Sequence, residues 1–190
     1  MLIELLRSAT GEAHRKLESE LALLEPPLDR GRFVRTLARF HGYHAAWEPL
    51  VARLIGEDAF PAERRRLALL SADLDDLGVS PSPPAPTPAL ASAAEAWGSL
   101  YVMEGSTLGG KVIAKALKDA DWAPPEGLRY FDPYGRRTAD MWRGFLDRLA
   151  AAGAREPVEE IVRGAVATFA ELTAWLVPAP ALACAGGIDG

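Results

Sequence analysis

Residues 105–112, "GSTLGGKV", admit two kinds of chemistry. Gly105, Gly110 and Lys111 have the Gly-x-x-x-x-Gly-Lys spacing of a phosphate-binding loop. Such a loop needs a buried strand before it and a Ser or Thr after the lysine to hold magnesium. Val112 stands at that last position, and the preceding "EAWGSLYVMEG" carries Glu95 and Glu104 and has no β-branched run. A helix fits better, at a cost: Gly98, Gly105, Gly109 and Gly110 each weaken it by roughly 1 kcal/mol relative to Ala. Gly98, Val102, Gly105, Gly109 and Val112 fall on one stripe, at spacings of four, three, four and three. Small residues there allow two helices to pack closely. They also allow a bare, bendable backbone to lie against a planar cofactor.

Histidine is the other candidate for chemistry, and the chain has three: His14, His41 and His44. His14 precedes Glu18 by one helical turn, about 6 Å along the axis and on the same face. A carboxylate placed there can accept the Nδ1 proton, fix the tautomer and leave Nε2 free for a metal. The plainer alternative is a surface His–Glu pair worth a few tenths of a kcal/mol. His41, His44 and Glu48 also share a face, but a carboxylate-bridged di-iron bundle requires Glu-x-x-His repeats on two helices, which are absent. Tyr43 and Trp47 on the same segment favour ordinary packing for these two histidines.

The elements that must position these residues read as helices. Leu2, Leu5, Leu6, Ala9, Ala13, Leu17 and Leu21 recur at helical spacing over 1–24, and Pro26 and Pro27 end that element. Asp29 is a suitable N-cap for a second helix over 30–55. Pro61 predicts the opening of a third, closed by Gly78. "SPSPPAPTP" (80–88) cannot form a helix and predicts an extended surface loop. A long helix over 89–119 comes next, then breaks at "APPEG" (123–127) and "FDPYG" (131–135), then helices over 137–151 and 156–176. Residues 178–190 lack periodicity and read as a flexible tail. The predicted architecture is a single all-α domain over 1–177, with neither repeats nor an alternating strand pattern.

Composition narrows the setting. A length of 190 residues suits one core, and 49% hydrophobic with 25% charged residues is ordinary for a soluble globular chain. A net charge of −5, which no run of Lys or Arg offsets, argues against nucleic acid. The lone Cys184 excludes an internal disulfide framework and fits a reducing compartment. Glu4 and Arg7 interrupt the first apolar stretch, so no signal peptide is expected. No apolar run approaches the roughly 20 residues of a membrane span. The expected location is the cytoplasm.

Taken together, "LRSATGEAHRKLE" (6–18) and "GSLYVMEGSTLGGKVI" (98–113) resemble the heme oxygenases, with similarity to the bacterial, bacteriophytochrome-associated branch. The resemblance continues through "LSADLDDLG", "YFDPYGRRT", "MWRGFLDRL" and "ATFAELTAWL", covering nearly the whole domain to about residue 177. It implies a heme-oxygenase-like helical bundle that clasps heme between a proximal and a distal helix. His14 takes the position of the axial iron ligand and Glu18 that of its carboxylate partner. Gly105, Gly109 and Gly110 match the distal glycines that bring the backbone over the heme. Arg7, and less directly Arg143, match basic positions suited to the anionic propionates, while Tyr101, one turn before Gly105, offers a hydroxyl.

The implied reaction uses heme as both cofactor and substrate. With O2 and electrons from an external donor, such as a ferredoxin or flavodoxin reductase system, the ring opens to biliverdin, carbon monoxide and ferrous iron. A bacteriophytochrome is an implied acceptor of the bilin. Many family members carry an Asp directly after the first distal glycine, where it organises a proton-delivering water; here that position is Ser106. Ser106 or a backbone carbonyl must then hold the water. The alternative is a heme-binding carrier or sensor with little turnover.

Overall fold

Leucines one turn apart carry the first helix to Leu21, where Ala22 adopts a left-handed conformation and closes it. The structure is a computed structural model that describes residues 1–26, 29–118, 120–124 and 128–177. Among the described residues there are six α-helices: α1 Leu2–Leu21, α2 Arg30–Ile55, α3 Leu67–Leu77, α4 Ala93–Leu117, α5 Thr138–Gly153 and α6 Val158–Leu176. None of the described residues forms a strand, so the architecture is all-α as the sequence implied.

Local chemistry sets most boundaries. Asp29 Oδ1 accepts the Arg32 N–H at 2.9 Å and caps α2, satisfying a donor that a helix start leaves free. Gly78, in the left-handed region, ends α3. Pro61 does not open the third helix, as the sequence suggested. It caps a single 3₁₀ turn, Ala62–Arg64, and α3 begins at Leu67, where Glu48 Oε1 accepts the N–H groups of Arg66 and Leu67. The distal segment also starts later than expected. Ser92 Oγ accepts the Glu95 N–H at 3.2 Å while Glu95 Oε2 accepts the Ala91 N–H, a reciprocal cap that fixes the first turn of α4.

The proline-rich stretch 80–88 is extended but is not merely a surface loop. The N–H of Ala85 donates to the Gly42 carbonyl at 2.8 Å, and Ala85 and Leu90 are buried in the core. A side chain at Gly42 would collide with the Pro83 carbonyl, which is why that turn of α2 has none.

Helix α4 is central. It lies along α6 and also packs on α5 and α2, while α1 rests on α6. The α4–α6 crossing is close because two glycines face each other's helix: a β-carbon at Gly98 would strike the Ile161 carbonyl, and one at Gly164 the Glu95 carbonyl. Around this crossing gathers the larger core, with Leu6, Trp47, Leu100, Phe145, Ile161 and Leu172. A smaller core of Phe33, Leu37, Leu70, Leu74 and Phe131 holds α2, α3 and the 128–131 segment together. The predicted tail over 178–190, and Pro125, Glu126 and Gly127 of the "APPEG" break, lie outside the described residues.

Candidate functional site

On α1 the buried stripe runs through Leu6, Thr10 and Leu17. At 100° per residue, His14 lies 40–60° from Thr10 and Leu17, at the edge of that stripe. Its side chain is 52% exposed, and the ring meets Phe169 of α6 edge-on at 5.7 Å between centroids. The expected Nδ1 contact with Glu18 is not the one observed: Nε2 lies 3.4 Å from Glu18 Oε1. The ring projects outward, so Nε2 is its tip, and a flexible carboxylate from the next turn reaches the tip more easily than the nitrogen beside the backbone. Both partners are exposed, so this contact contributes little to stability and moves at small cost.

The glycines of α4 divide between the two explanations open to them. Gly98 serves the helix crossing. Gly110 is buried against the Phe131 backbone, where a β-carbon would sit well under 3.0 Å from the carbonyl oxygen; close packing accounts for this glycine. A β-carbon at Gly109 would have nothing within 4 Å, and one at Gly105 would meet only the Trp142 ring at 3.7 Å. Leu108 and Val112 flank this open face, 44% and 59% exposed. The result is a bare strip of helix backbone bordered by solvent-facing apolar side chains.

Arg7 of α1 and Tyr101 of α4 lie near each other. Tyr101 is half-buried, and the Arg7 guanidinium lies close enough for its charge to act on the phenol. Burial raises the pKa of that phenol above its ordinary value, while Arg7 acts in the opposite direction. His14 lies two turns from Arg7 on one face of α1, and Gly105 one turn from Tyr101 on one face of α4. Both helices rest on α6 yet scarcely touch each other. Two clefts lie elsewhere: one of about 280 Å³ bounded by Arg32, Arg35 and Leu176, the other of about 250 Å³ between Tyr43 and Pro86.

Arg143 stands apart from the other candidates among the described residues. It is exposed on α5 and pairs with Asp140, because Met141 and Phe145 turn the opposite face of that helix inward.

Behind the open face lies a buried polar cluster that sequence reasoning missed. Glu104, 2% exposed, accepts from Arg64 Nη1 at 2.6 Å and from the Tyr134 hydroxyl at 2.9 Å. Burial raises the Glu104 pKa, and Arg64 and Arg66 oppose that rise. Arg66, 3% exposed, donates to Ser106 Oγ at 3.2 Å and to the Met103 carbonyl. Ser106 Oγ in turn donates to that same carbonyl at 2.7 Å. His44, fully buried, joins Glu48 at 2.9 Å and the Tyr130 hydroxyl at 3.3 Å, which makes it a packed core histidine as expected. Burial holds its pKa down at about 4. In sequence, Arg64, Arg65 and Arg66 are three consecutive charges with nothing local to mark any of them as buried. Only the placement of Glu48 and Glu104, far away along the chain, draws two of the three inside.

The sequence is 35% identical over 157 residues to a heme oxygenase of Xanthomonas campestris, a match spanning 78% of this chain and 91% of the relative. The chain belongs to the heme oxygenase family. A second relative, heme oxygenase PigA of Pseudomonas aeruginosa, is 34% identical over 164 residues, covering 77% of this chain and 82% of that one. The heme oxygenase fold is evident in the backbone as well. It superposes on the NO- and CO-bound heme oxygenase of Neisseria meningitidis with a TM-score of 0.78 at 25% identity, covering 93% of this chain and 90% of that chain. No family model matches the sequence. Among the described residues, no helix is long and apolar enough to cross a membrane.

Proposed function

We propose that this heme oxygenase family member binds heme between α1 and α4 and, with O2 and electrons, opens its ring to biliverdin, carbon monoxide and ferrous iron. What supports this reading is the open strip at Gly105 and Gly109 on α4, together with the half-exposed imidazole of His14 on α1 and the nearness of Arg7 on α1 to Tyr101 on α4. The residues present fit the group. A flat apolar ring with a central iron needs backbone without side chains, apolar borders and a nitrogen donor, and Gly109, Leu108, Val112 and His14 supply these.

Heme, when bound, supplies the iron that activates oxygen and the ring that is oxidised. The chain does the rest. His14 would hold the iron through Nε2 once Glu18 leaves that nitrogen, and Glu18 would then orient the ring through Nδ1. Gly105 and Gly109 keep the distal side clear, and Gly110 holds α4 to the 131–135 loop behind it. Arg7, close to Tyr101, would pair with a propionate. Arg143 serves only as a more distant cation, since Asp140 already engages it. Ser106 and nearby carbonyls are left to hold a proton-delivering water. Electron delivery by a ferredoxin- or flavodoxin-type system, bilin supply to a bacteriophytochrome, a cytoplasmic location and a domain ending near residue 177 belong to the same proposal and rest on the sequence resemblance.

Mixing the protein with hemin, a reductant and air tests the reaction. Loss of the Soret band with biliverdin recovered by chromatography is expected. An undiminished Soret band under these conditions would establish a heme carrier instead.

A further inference from the structure

We propose that the cleft where the ends of α1 and α6 meet the first half of α2 is a binding site for a small organic monocarboxylate, anchored by Arg39. The cleft has a volume of about 280 Å³. Arg32, Arg35 and Arg39 recur on one face of α2 and give it a basic wall, while Leu21, Leu176 and Val177 supply its apolar part. It lies apart from the proposed heme face. Leu21 is seven residues beyond His14, and Leu176 seven beyond Phe169, the ring that meets His14. The cleft therefore sits about 10 Å further along the α1–α6 seam, and the inference does not rest on the heme reading.

Arg39 is the anchor because its guanidinium is fixed and yet uncommitted. Its Nε–H donates to the Trp175 carbonyl, and the Trp175 Nε1–H donates to the Arg39 carbonyl at 2.7 Å. The guanidinium carbon lies 5.0 Å from the centre of the Trp175 ring. These contacts occupy Nε and one face of the group. Neither terminal nitrogen has an acceptor among the described residues, and no carboxylate among them pairs with this charge. A planar fork already held in place can give two parallel N–H groups to the two oxygens of one carboxylate, with little further ordering to do. Locking α2 to α6 needs only Nε, so that role leaves the open fork unexplained.

The surrounding charges set which anion fits. Arg32 is engaged: Nη1 donates to the Ala22 carbonyl at 3.0 Å, and Glu25 lies 3.7 Å away. Arg35, exposed, leans over Gly31 toward Asp29, whose carboxylate caps α2, and adds positive charge at the rim. Glu20 and Glu25 also border the cleft, and Lys16 lies 3.9 Å from Glu20. A second negative charge on the ligand would face those two carboxylates, which disfavours phosphate. The apolar part selects an alkyl or aryl body behind the single charge.

Calorimetric titration of the whole chain with hexanoate tests this, with hexanamide, acetate and inorganic phosphate as comparisons. Hexanoate is expected to bind one to one, and hexanamide at least about tenfold more weakly because it lacks the charge. Acetate, without the body, should also bind at least about tenfold more weakly, and phosphate more weakly than hexanoate. Arg39→Gln is expected to weaken hexanoate binding about tenfold, and Arg35→Gln about threefold. Thermal unfolding shows whether Arg39→Gln keeps its fold; if it does not, Arg35→Gln and the hexanamide comparison decide. The proposal is overturned by absence of hexanoate binding to the wild type, or by hexanamide, acetate or phosphate binding as tightly as hexanoate. A folded Arg39→Gln variant with wild-type affinity would overturn it too, and would leave Arg39 as a lock between α2 and α6.

Discussion

Gly109 and Gly110 are adjacent in sequence and meet opposite surroundings: a β-carbon on the first would touch nothing within 4 Å, and on the second would run into the Phe131 carbonyl. Identical substitutions should therefore have opposite effects on stability. Gly109→Ala is expected to stabilise the fold by up to about 1 kcal/mol through helix propensity, whereas Gly110→Ala costs about 1–3 kcal/mol by overpacking. Urea unfolding of the two variants measures this directly. Equal destabilisation by both would mean that Gly109 packs against something after all. Gly109→Leu keeps the fold but fills the open strip, so a hemin titration should show weaker binding.

His14→Ala should lose the axial imidazole while keeping the helix, since the side chain is half exposed and sits at the edge of the buried stripe. Thermal stability is expected to change by less than about 0.5 kcal/mol, while biliverdin formation disappears. Added free imidazole should restore the spectrum of an imidazole-ligated heme. Unchanged turnover in His14→Ala would remove this residue as the iron ligand.

Burial of His44 makes stability depend on pH. Its pKa falls from 6.5 to about 4, so below pH 6.5 the unfolded chain takes up a proton that the folded one refuses. The stabilisation is complete above 6.5 and is lost toward 4, at up to about 1.4 kcal/mol per pH unit. Glu48 contributes in the same direction at lower pH: burial alone would raise its pKa, but contacts with His44 and with the Arg66 and Leu67 N–H groups bring it below the ordinary value. Denaturant midpoints across pH 4–7 for the wild type and His44→Gln separate the two groups. If the slopes coincide, His44 is charged in the folded protein.

The Arg64–Glu104 pair should be costly to break by halves. Arg64→Met leaves a 2%-exposed carboxylate without its cation and is expected to cost about 3–5 kcal/mol. Adding Glu104→Gln should recover most of that loss. A double variant no more stable than Arg64→Met would mean that Arg64 stabilises through its other contact, the Met141 carbonyl.

Much of the frame is legible in the sequence because its signals are local. Asp29 before an apolar-periodic run marks the start of α2, and Gly78 marks the end of α3. The glycine stripe is legible as an oddity, yet its meaning is not, because the same missing side chain serves a helix crossing at Gly98, a loop contact at Gly110 and open space at Gly109. Only the partner distinguishes them, and each partner lies far away in sequence. Arg66 and Trp142 escape a sequence reading for the same reason. An arginine in a run of three has no local signal for burial, and the Trp142 ring reaches Gly105 only when α5 packs on α4. The orientation of His14 differs from expectation because helical spacing fixes which residues are neighbours without fixing which ring nitrogen faces the carboxylate.

Glu104, Gly110 and Lys111 all reach toward the 131–135 loop, on the far side of α4 from Gly105 and Gly109. The helix is bolted down along its rear, like a bench with one clear edge. Accommodating a broad flat guest therefore falls to the other jaw, α1, whose rim side chains Arg7, His14 and Glu18 are long, wet and cheap to move.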